Sequence, residues 1–419
     1  MSETTLENSP DDGQPEGWPA NKPDIKPGDW SRFAISDREA GFDISENFQR
    51  FDQRNDMFNR AYWDEAVMSD HVTAFFDAYV NPNPKKVDGF TQWDYALLIS
   101  AWSVAKDYSG RGHEDGRREG FLDPFQAFID QAGAKAELTS PEETTFRVKK
   151  AAKFLGANLV GITEYDDRWV YQNTADLTSG DRADKPNPLP DGLTNVIVLA
   201  HGMDYELVQS YPSALGASAT GREYSREAAI ATSLASFIHG LGYKAVASSN
   251  DTALTIPYAV KAGMGEYGRN QMVITPEFGP RVRFSKVFTD LPLAHDKPRK
   301  FGVTEFCNVC NKCADACPPK ALPFGPPEEG GPNRSTISGV KKWSADCEKC
   351  FSYWTRMKAD CAICMRVCPY NKDYSKWTMR LWRDLMGTPL RKLMLKLDDA
   401  LGYGKRKSPK EWWSDQIGS

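Results

Sequence analysis

The sequence predicts an α+β protein in which an α/β core is followed by a small cysteine-rich module. Two observations carry this. Between about residues 195 and 288 short apolar runs alternate with an amphipathic helical pattern, and seven of the nine cysteines fall in two short runs downstream. The 419 residues are 40% hydrophobic, enough for a sizeable core in two or three domains, and hold no apolar run near the roughly 20 residues a membrane span needs. A formal net charge of −5 argues against a nucleic-acid partner, which needs a concentrated basic face. The opening MSETTLENSPDDGQPEGWP has neither a charged region followed by an apolar one nor a leading twin-arginine signal, so a cytoplasmic protein is expected.

Residues 1–30, rich in Pro, Asp, Glu and Gly, read as a disordered tail. Residues 31–140 form a helix and loop segment whose aromatics, including Phe51, Phe58, Trp63, Phe75, Trp93 and Trp102, are read as packing. The core is expected over residues 141–300. Residues 195–200 (NVIVLA) suit a buried strand, and a helix is expected from Tyr224 onward. Its apolar face carries Ile230, Leu234, Phe237, Ile238 and Leu241, with Gly240 and Gly242 to end it. A strand at about 243–247, the loop SSNDTAL, a helix at about 256–262, the loop GMGEYGRN, residues 272–275 and the strand RVRFSKVF follow. Gly263, Gly265 and Gly268 do not form a dinucleotide-binding fingerprint. They read either as a turn supplying positive φ or as part of a cofactor cradle.

The module is expected over residues 301–375. Its first run places Cys307, Cys310, Cys313 and Cys317 at C-x2-C-x2-C-x3-C, with Pro318 after it. Two-residue spacers let three thiolates wrap three corners of one [4Fe-4S] cubane while the fourth points to a neighbouring cluster. The second run has Cys361, Cys364 and Cys368 before Pro369, with its first cysteine upstream at Cys350. This is a bacterial-ferredoxin-like pair with one stretched arm. The exchange typical of such pairs assigns Cys307, Cys310, Cys313 and Cys368 to cluster 1, and Cys317, Cys350, Cys361 and Cys364 to cluster 2. Cys347 is the alternative to Cys350. A disulfide framework is not expected without a secretory signal, and zinc prefers two C-x2-C knuckles separated by a long loop.

The stretches GREYSREAAIATSLASFIHGLGYKA and NDTALTIPYAVKAGMGEYGRNQMVITPEFGPRVRFSKVFTDLPL, followed by FCNVCNKCADACPP and CAICMRVCPYNK, resemble the corrinoid-dependent reductive dehalogenases over roughly residues 190–372. FDQRNDMFNRAYWD, from Phe51, is similar to their N-terminal part. The core also resembles the epoxyqueuosine reductases. The resemblance implies a nitroreductase-like α/β core holding a corrinoid, with the two [4Fe-4S] clusters feeding electrons to it and a small organohalide as substrate. It assigns the proton donor to Tyr224, its polar partners to Asn250 and Arg283, and corrinoid contacts to Asp251, Thr252, Gly265, Gly268, Arg269 and Asn270.

Glu223 is an alternative acid, Arg281 shares the strand face of Arg283, and Thr220 is a further candidate for the cavity wall. A cation beside Tyr224 is expected to lower its pKa from about 10. No D-x-H-x-x-G signature is present, so a base-off corrinoid is expected, with His201 and His239 as surface or satisfied core residues. No reductase domain follows the second run, so electrons are expected from a separate ferredoxin or flavodoxin. Residues 376–419 form a helical tail, where Leu390, Leu393, Met394, Leu397 and Leu401 face one way among Arg391, Lys392 and Lys396. This tail either lies on the module's surface or offers that donor a dock. The competing readings are an epoxyqueuosine reductase-like enzyme, which would need a basic RNA-binding surface, and a non-catalytic electron carrier.

Overall fold

The computed structural model describes residues 30–110, 135–176, 179–187 and 189–414. The expected N-terminal tail lies outside them except for Trp30, whose indole Nε1 donates to Asp167 at 3.2 Å. Along the N-terminal segment run helices α1 (Asp70–Asp77) and α2 (Gln92–Gly110). The core then begins with α3 (Pro141–Phe154), capped by Ser140, and β1 (Leu159–Glu164).

Strand β2 (Asn195–Gly202) is buried at all but its last residue, as its β-branched run requires. A long helix, α4 (Ala214–Gly240), leads to β3 (Ala245–Ser248), α5 (Thr255–Lys261), the short hairpin of β4 (Glu266–Tyr267) and β5 (Val273–Ile274), and β6 (Val282–Thr289). The main sheet has the order β1-β2-β6-β3, every neighbouring pair being antiparallel. Because β2 and β3 both oppose β6, they run parallel to each other, and α4 is the crossover helix between them. One face of the sheet meets α4 and α3 through Ile197, Leu199, Val287, Leu234 and Ile238. The other meets α5 through Val196, Val198, Phe288 and Tyr258.

Four expectations need correction. Helix α4 starts ten residues before Tyr224, at an N-cap where Ser213 Oγ accepts from Gly216 N at 2.9 Å. The small side chains of the preceding ALGASATG let these two turns of helix sit wholly buried. Phe237 is 37% exposed although Ile230, Leu234 and Ile238 are buried, because it sits at the edge of the apolar arc. Trp93 is likewise 73% exposed, edge-on to Trp413. Of the three loop glycines only Gly263 has positive φ, +72°. A Cβ on Gly265 would lie 2.0 Å from the Ile274 carbonyl oxygen, so close hairpin packing requires glycine there.

The N-terminal segment binds the core to the module. Helix α1 packs on α6 (Cys347–Met357), with Phe351 edge-on to Phe58 at 5.4 Å and to Phe75 at 5.7 Å. Buried Arg60 joins Asp64 (2.9 Å) to Glu348 of the module (2.6 Å). After the module come α7 (Trp377–Met386) and α8 (Arg391–Ala400), seated by Met386 and Met394 against Phe306, Cys310 and Tyr370. No helix among the described residues is long and apolar enough to cross a membrane.

Candidate active site

Tyr224 sits midway along α4, 6% exposed. Trp102 of α2 stacks on its ring with centroids 4.7 Å apart and planes at 23°. Gly221, one turn earlier, makes the room: a Cβ there would meet Trp102 Cδ1 at 2.4 Å. Gly221→Ala is therefore expected to displace the indole and destabilise the fold by about 1–3 kcal/mol, the usual cost of overpacking. A denaturant titration of the variant measures this loss.

Asn250 reaches the site from the loop after β3. Its Nδ2 donates to Tyr224 Oη at 2.6 Å. The loop is held from several sides. Asp251 accepts from Ser249 N at 2.9 Å and from Ser248 Oγ at 3.1 Å. Glu227 accepts from Ser249 Oγ, while Lys286 donates to the Ser249 carbonyl and to Thr255 Oγ1. Tyr171 donates to the Asn250 carbonyl at 2.9 Å.

Arg283, on β6, lays its guanidinium 5.3 Å from the Tyr224 ring centroid and donates to Thr220 Oγ1 at 3.3 Å. The structure thus brings Tyr224, Asn250, Arg283 and Thr220 together. Arg281 turns elsewhere and bonds the Met203 and Lys372 carbonyls. Glu223 points away into ion pairs with Arg222 and Arg226, each at 2.7 Å. Behind Thr220 lies a buried chain in which Tyr211 bridges Thr220 (2.7 Å) and Asp360 (2.9 Å), and Tyr79 donates to Asp360 at 3.2 Å.

Burial raises the pKa of Tyr224 above its ordinary value, and it outweighs Arg283 and Asn250, which pull it down. The expected lowering by a nearby cation is therefore reversed, because the phenolate loses more by leaving water than it regains from Arg283. Burial alone would lower the Arg283 pKa, but Tyr224, Tyr211, Asp360 and Glu227 together raise it. Burial also pushes Glu227 up to about 8.

That shift has a pH signature. An acid whose folded pKa lies above its unfolded value of 4.5 holds extra protons only when folded, so its contribution to stability falls as pH rises from about 4.5 to 8. Glu227→Gln keeps the acceptor for Ser249 and removes this loss. The variant should gain thermal stability relative to the native chain as pH is raised from 6 to 9, as melting curves across that range would record.

Trp102, Glu227, Lys286 and the Tyr211–Asp360 pair were not singled out for the site from sequence. The only signal was position for Glu227, one turn after Tyr224 on the same helix.

In the module, Cys307, Cys310, Cys313 and Cys368 line one small pocket with Arg269, Asn270 and Tyr370. Cys317, Cys350, Cys361 and Cys364 gather around Ile363 and Val367. Cys347 instead packs into the aromatic cluster of the N-terminal segment, with Sγ 3.8 Å from the Ala345 carbonyl. Burial pushes the Cys310 and Cys313 thiols up to about 12, so a metal that holds them as thiolates offsets a real cost.

Of the residues the resemblance places at the corrinoid, Arg269 spends its guanidinium on the carbonyls of Cys307, Pro323 and Gly325. Gly265 and Gly268 pack within the β4–β5 hairpin against Ile274. Thr252 pairs with Ser248. Asp251 Oδ2 and Asn270 Nδ2 are buried without a hydrogen-bond partner among the described residues. His201 Nε2 meets Ser285 Oγ at 3.0 Å, and His239 Nε2 meets the Ala245 carbonyl at 2.9 Å.

Residues 180–293 match the family model of the reductive dehalogenase subunit, and residues 306–371 that of the 4Fe-4S double cluster binding domain. The tetrachloroethene reductive dehalogenase of Dehalobacter restrictus is 34% identical over 392 residues, covering 77% of this chain and 70% of its own. That of Sulfurospirillum multivorans is 37% identical over 310 residues, covering 67% and 61%. An epoxyqueuosine reductase of Atelocyanobacterium thalassa is 30% identical over 29% of this chain and 38% of its own. Among solved structures, a catabolic reductive dehalogenase superposes with a TM-score of 0.71 at 26% identity over 89% of this chain, and a reductive dehalogenase described as B12-dependent with 0.69. This chain spans about half the length of those two solved relatives. With a relative 34% identical across 70% of that relative's length, the chain belongs to the reductive dehalogenase family.

Proposed function

We propose that this chain reduces an organohalide, replacing halogen by hydrogen and releasing halide, on a nitroreductase-like core. The observation that carries the reading is Tyr224 Oη held by Asn250 under the charge of Arg283, in a core joined to eight cysteines grouped as two cluster sites. The partnerless Asp251 Oδ2 and Asn270 Nδ2 fit a polar cofactor, and the two cysteine groups fit cubanes. A corrinoid bound there, with the two cysteine groups holding the clusters, would supply the low-potential metal chemistry that cleavage of a carbon–halogen bond needs.

The protein's own part is binding and proton delivery. Trp102, fully buried and stacked on the Tyr224 ring, fixes the orientation of the phenol toward the substrate. Tyr224 Oη gives its proton to the carbon that loses halide, as R–X + 2e⁻ + H⁺ → R–H + X⁻. Arg283 and the Asn250 N–H then stabilise the phenolate, and Tyr224 regains a proton from solvent. The phenol is protonated at neutral pH even at its ordinary value, and burial raises it further.

The test is halide release from anaerobic, corrinoid-loaded protein with reduced methyl viologen, beginning with tetrachloroethene, the compound in the relatives' names, and then halogenated aryl compounds. About eight irons and one cobalt per chain are expected. Zinc in place of iron would overturn the reading.

A further inference from the structure

We propose that the helical pair α7–α8 is the docking face for a small acidic one-electron carrier protein, which passes electrons to the cluster held by Cys307, Cys310, Cys313 and Cys368. The proposal rests on the reading above and adds the place and chemistry of the donor. Met386 and Met394 fix the pair to the module and are buried. Trp382, Leu385 and Leu395 pack there too, but other apolar side chains of the pair and its ends are uncovered: Trp377 is 68% exposed, Leu381 50%, Leu390 49%, Leu393 52%, Leu397 40% and Leu401 61%. Exposed apolar side chains recurring every three or four residues along a helix face are of the kind that marks an interaction site.

Charge identifies the occupant. Between Trp377 and Ala400 Arg380, Arg383, Arg391, Lys392 and Lys396 stand against three aspartates, in a chain whose net charge is −5. All three aspartates are already paired: Asp384 with Arg383 (2.7 Å), Asp398 with Lys312 (2.6 Å) and Lys372 (2.7 Å), and Asp399 with Lys312 (2.8 Å). Arg380, Lys392 and Lys396 stay exposed beside the leucines. A basic rim around a modest apolar patch suits an acidic partner that must bind quickly and leave, since complementary charge raises the encounter rate more than the affinity.

Position favours an electron carrier over an anionic lipid surface. Met394 and Leu395 of α8 pack in the same cluster of side chains as Cys307, Cys310 and Cys368. Lys312, between ligands Cys310 and Cys313, is bound directly by α8 through Asp398 and Asp399. A carrier on this face sits over the cluster's ligand loop. Each docking event oxidises the carrier by one electron and reduces the cluster by one, and two such events supply the two electrons of the halide-releasing step.

The test compares two reductants on holoenzyme carrying either Lys392→Glu with Lys396→Glu or Leu393→Ser with Leu397→Ser, all exposed positions away from the active site. With reduced methyl viologen, turnover should stay within about twofold of the native chain. With a photoreduced acidic flavodoxin as probe, kcat/KM should fall about 10–100-fold at low salt, and the native rate should drop as salt is added. Flavodoxin Kd, read by calorimetry on the same proteins without turnover, should weaken at least about tenfold. Unchanged flavodoxin rates and Kd in both variants overturn the proposal. So does a result in which the variants lose only binding to phosphatidylserine vesicles, which would make this a lipid-binding face. Absence of halide release with methyl viologen would instead sink the catalytic reading, while the calorimetry still decides the docking.

Discussion

Tyr224→Phe should lower halide release by about 10²–10⁴-fold, the usual worth of a positioned general acid, while corrinoid and iron contents stay at native levels. The phenyl ring keeps the stacking on Trp102 at 4.7 Å and the buried area in α4, so packing alone changes little. What is lost is the Oη that Asn250 holds at 2.6 Å. Glu223→Gln should be far milder, because that carboxylate is turned into ion pairs with Arg222 and Arg226. Stopped-flow or end-point halide assays with methyl viologen distinguish the two. A Tyr224→Phe enzyme that binds cofactor normally and turns over near the native rate would remove Tyr224 from the mechanism.

Cys350→Ala should cost the protein about half its iron, one cubane of two, and with it nearly all turnover. Cys347→Ala should keep full iron. Cys347 opens α6 and Cys350 lies three residues on, yet they meet different neighbours. Cys350 packs with Cys317, Cys361 and Cys364, whereas Cys347 faces the aromatic cluster around Phe351 and Trp354. Iron analysis and the visible absorbance of the reconstituted variants decide between them, and the opposite pattern would move the fourth ligand to Cys347.

The two cluster motifs were legible in the sequence because cubane ligation is largely local: two-residue spacers set the thiolate geometry whatever surrounds them. Strand β2 and the turn-ending Gly242 were legible for the same reason, a short apolar run and a positive φ being properties of a few consecutive residues. Tyr224, Asn250 and Arg283 were legible only through resemblance to a family, because nothing in their spacing announces that a helix, a loop and a strand converge.

What the tertiary structure alone decided lies in contacts between distant segments. Trp102 reads as an ordinary packing tryptophan until Gly221 opens a slot for it against Tyr224. Asp360 stands beside a cluster cysteine in sequence, yet it accepts from Tyr211, which is 149 residues earlier, and so joins the module to the active site. The direction of the Tyr224 shift was also decided there, since the lowering by Arg283 is outweighed by the cost of burying the phenolate. Ligand spacing and strand pattern are set by neighbours along the chain and survive any fold. Desolvation and side-chain convergence depend on every segment that closes over a residue, and only the folded chain determines them.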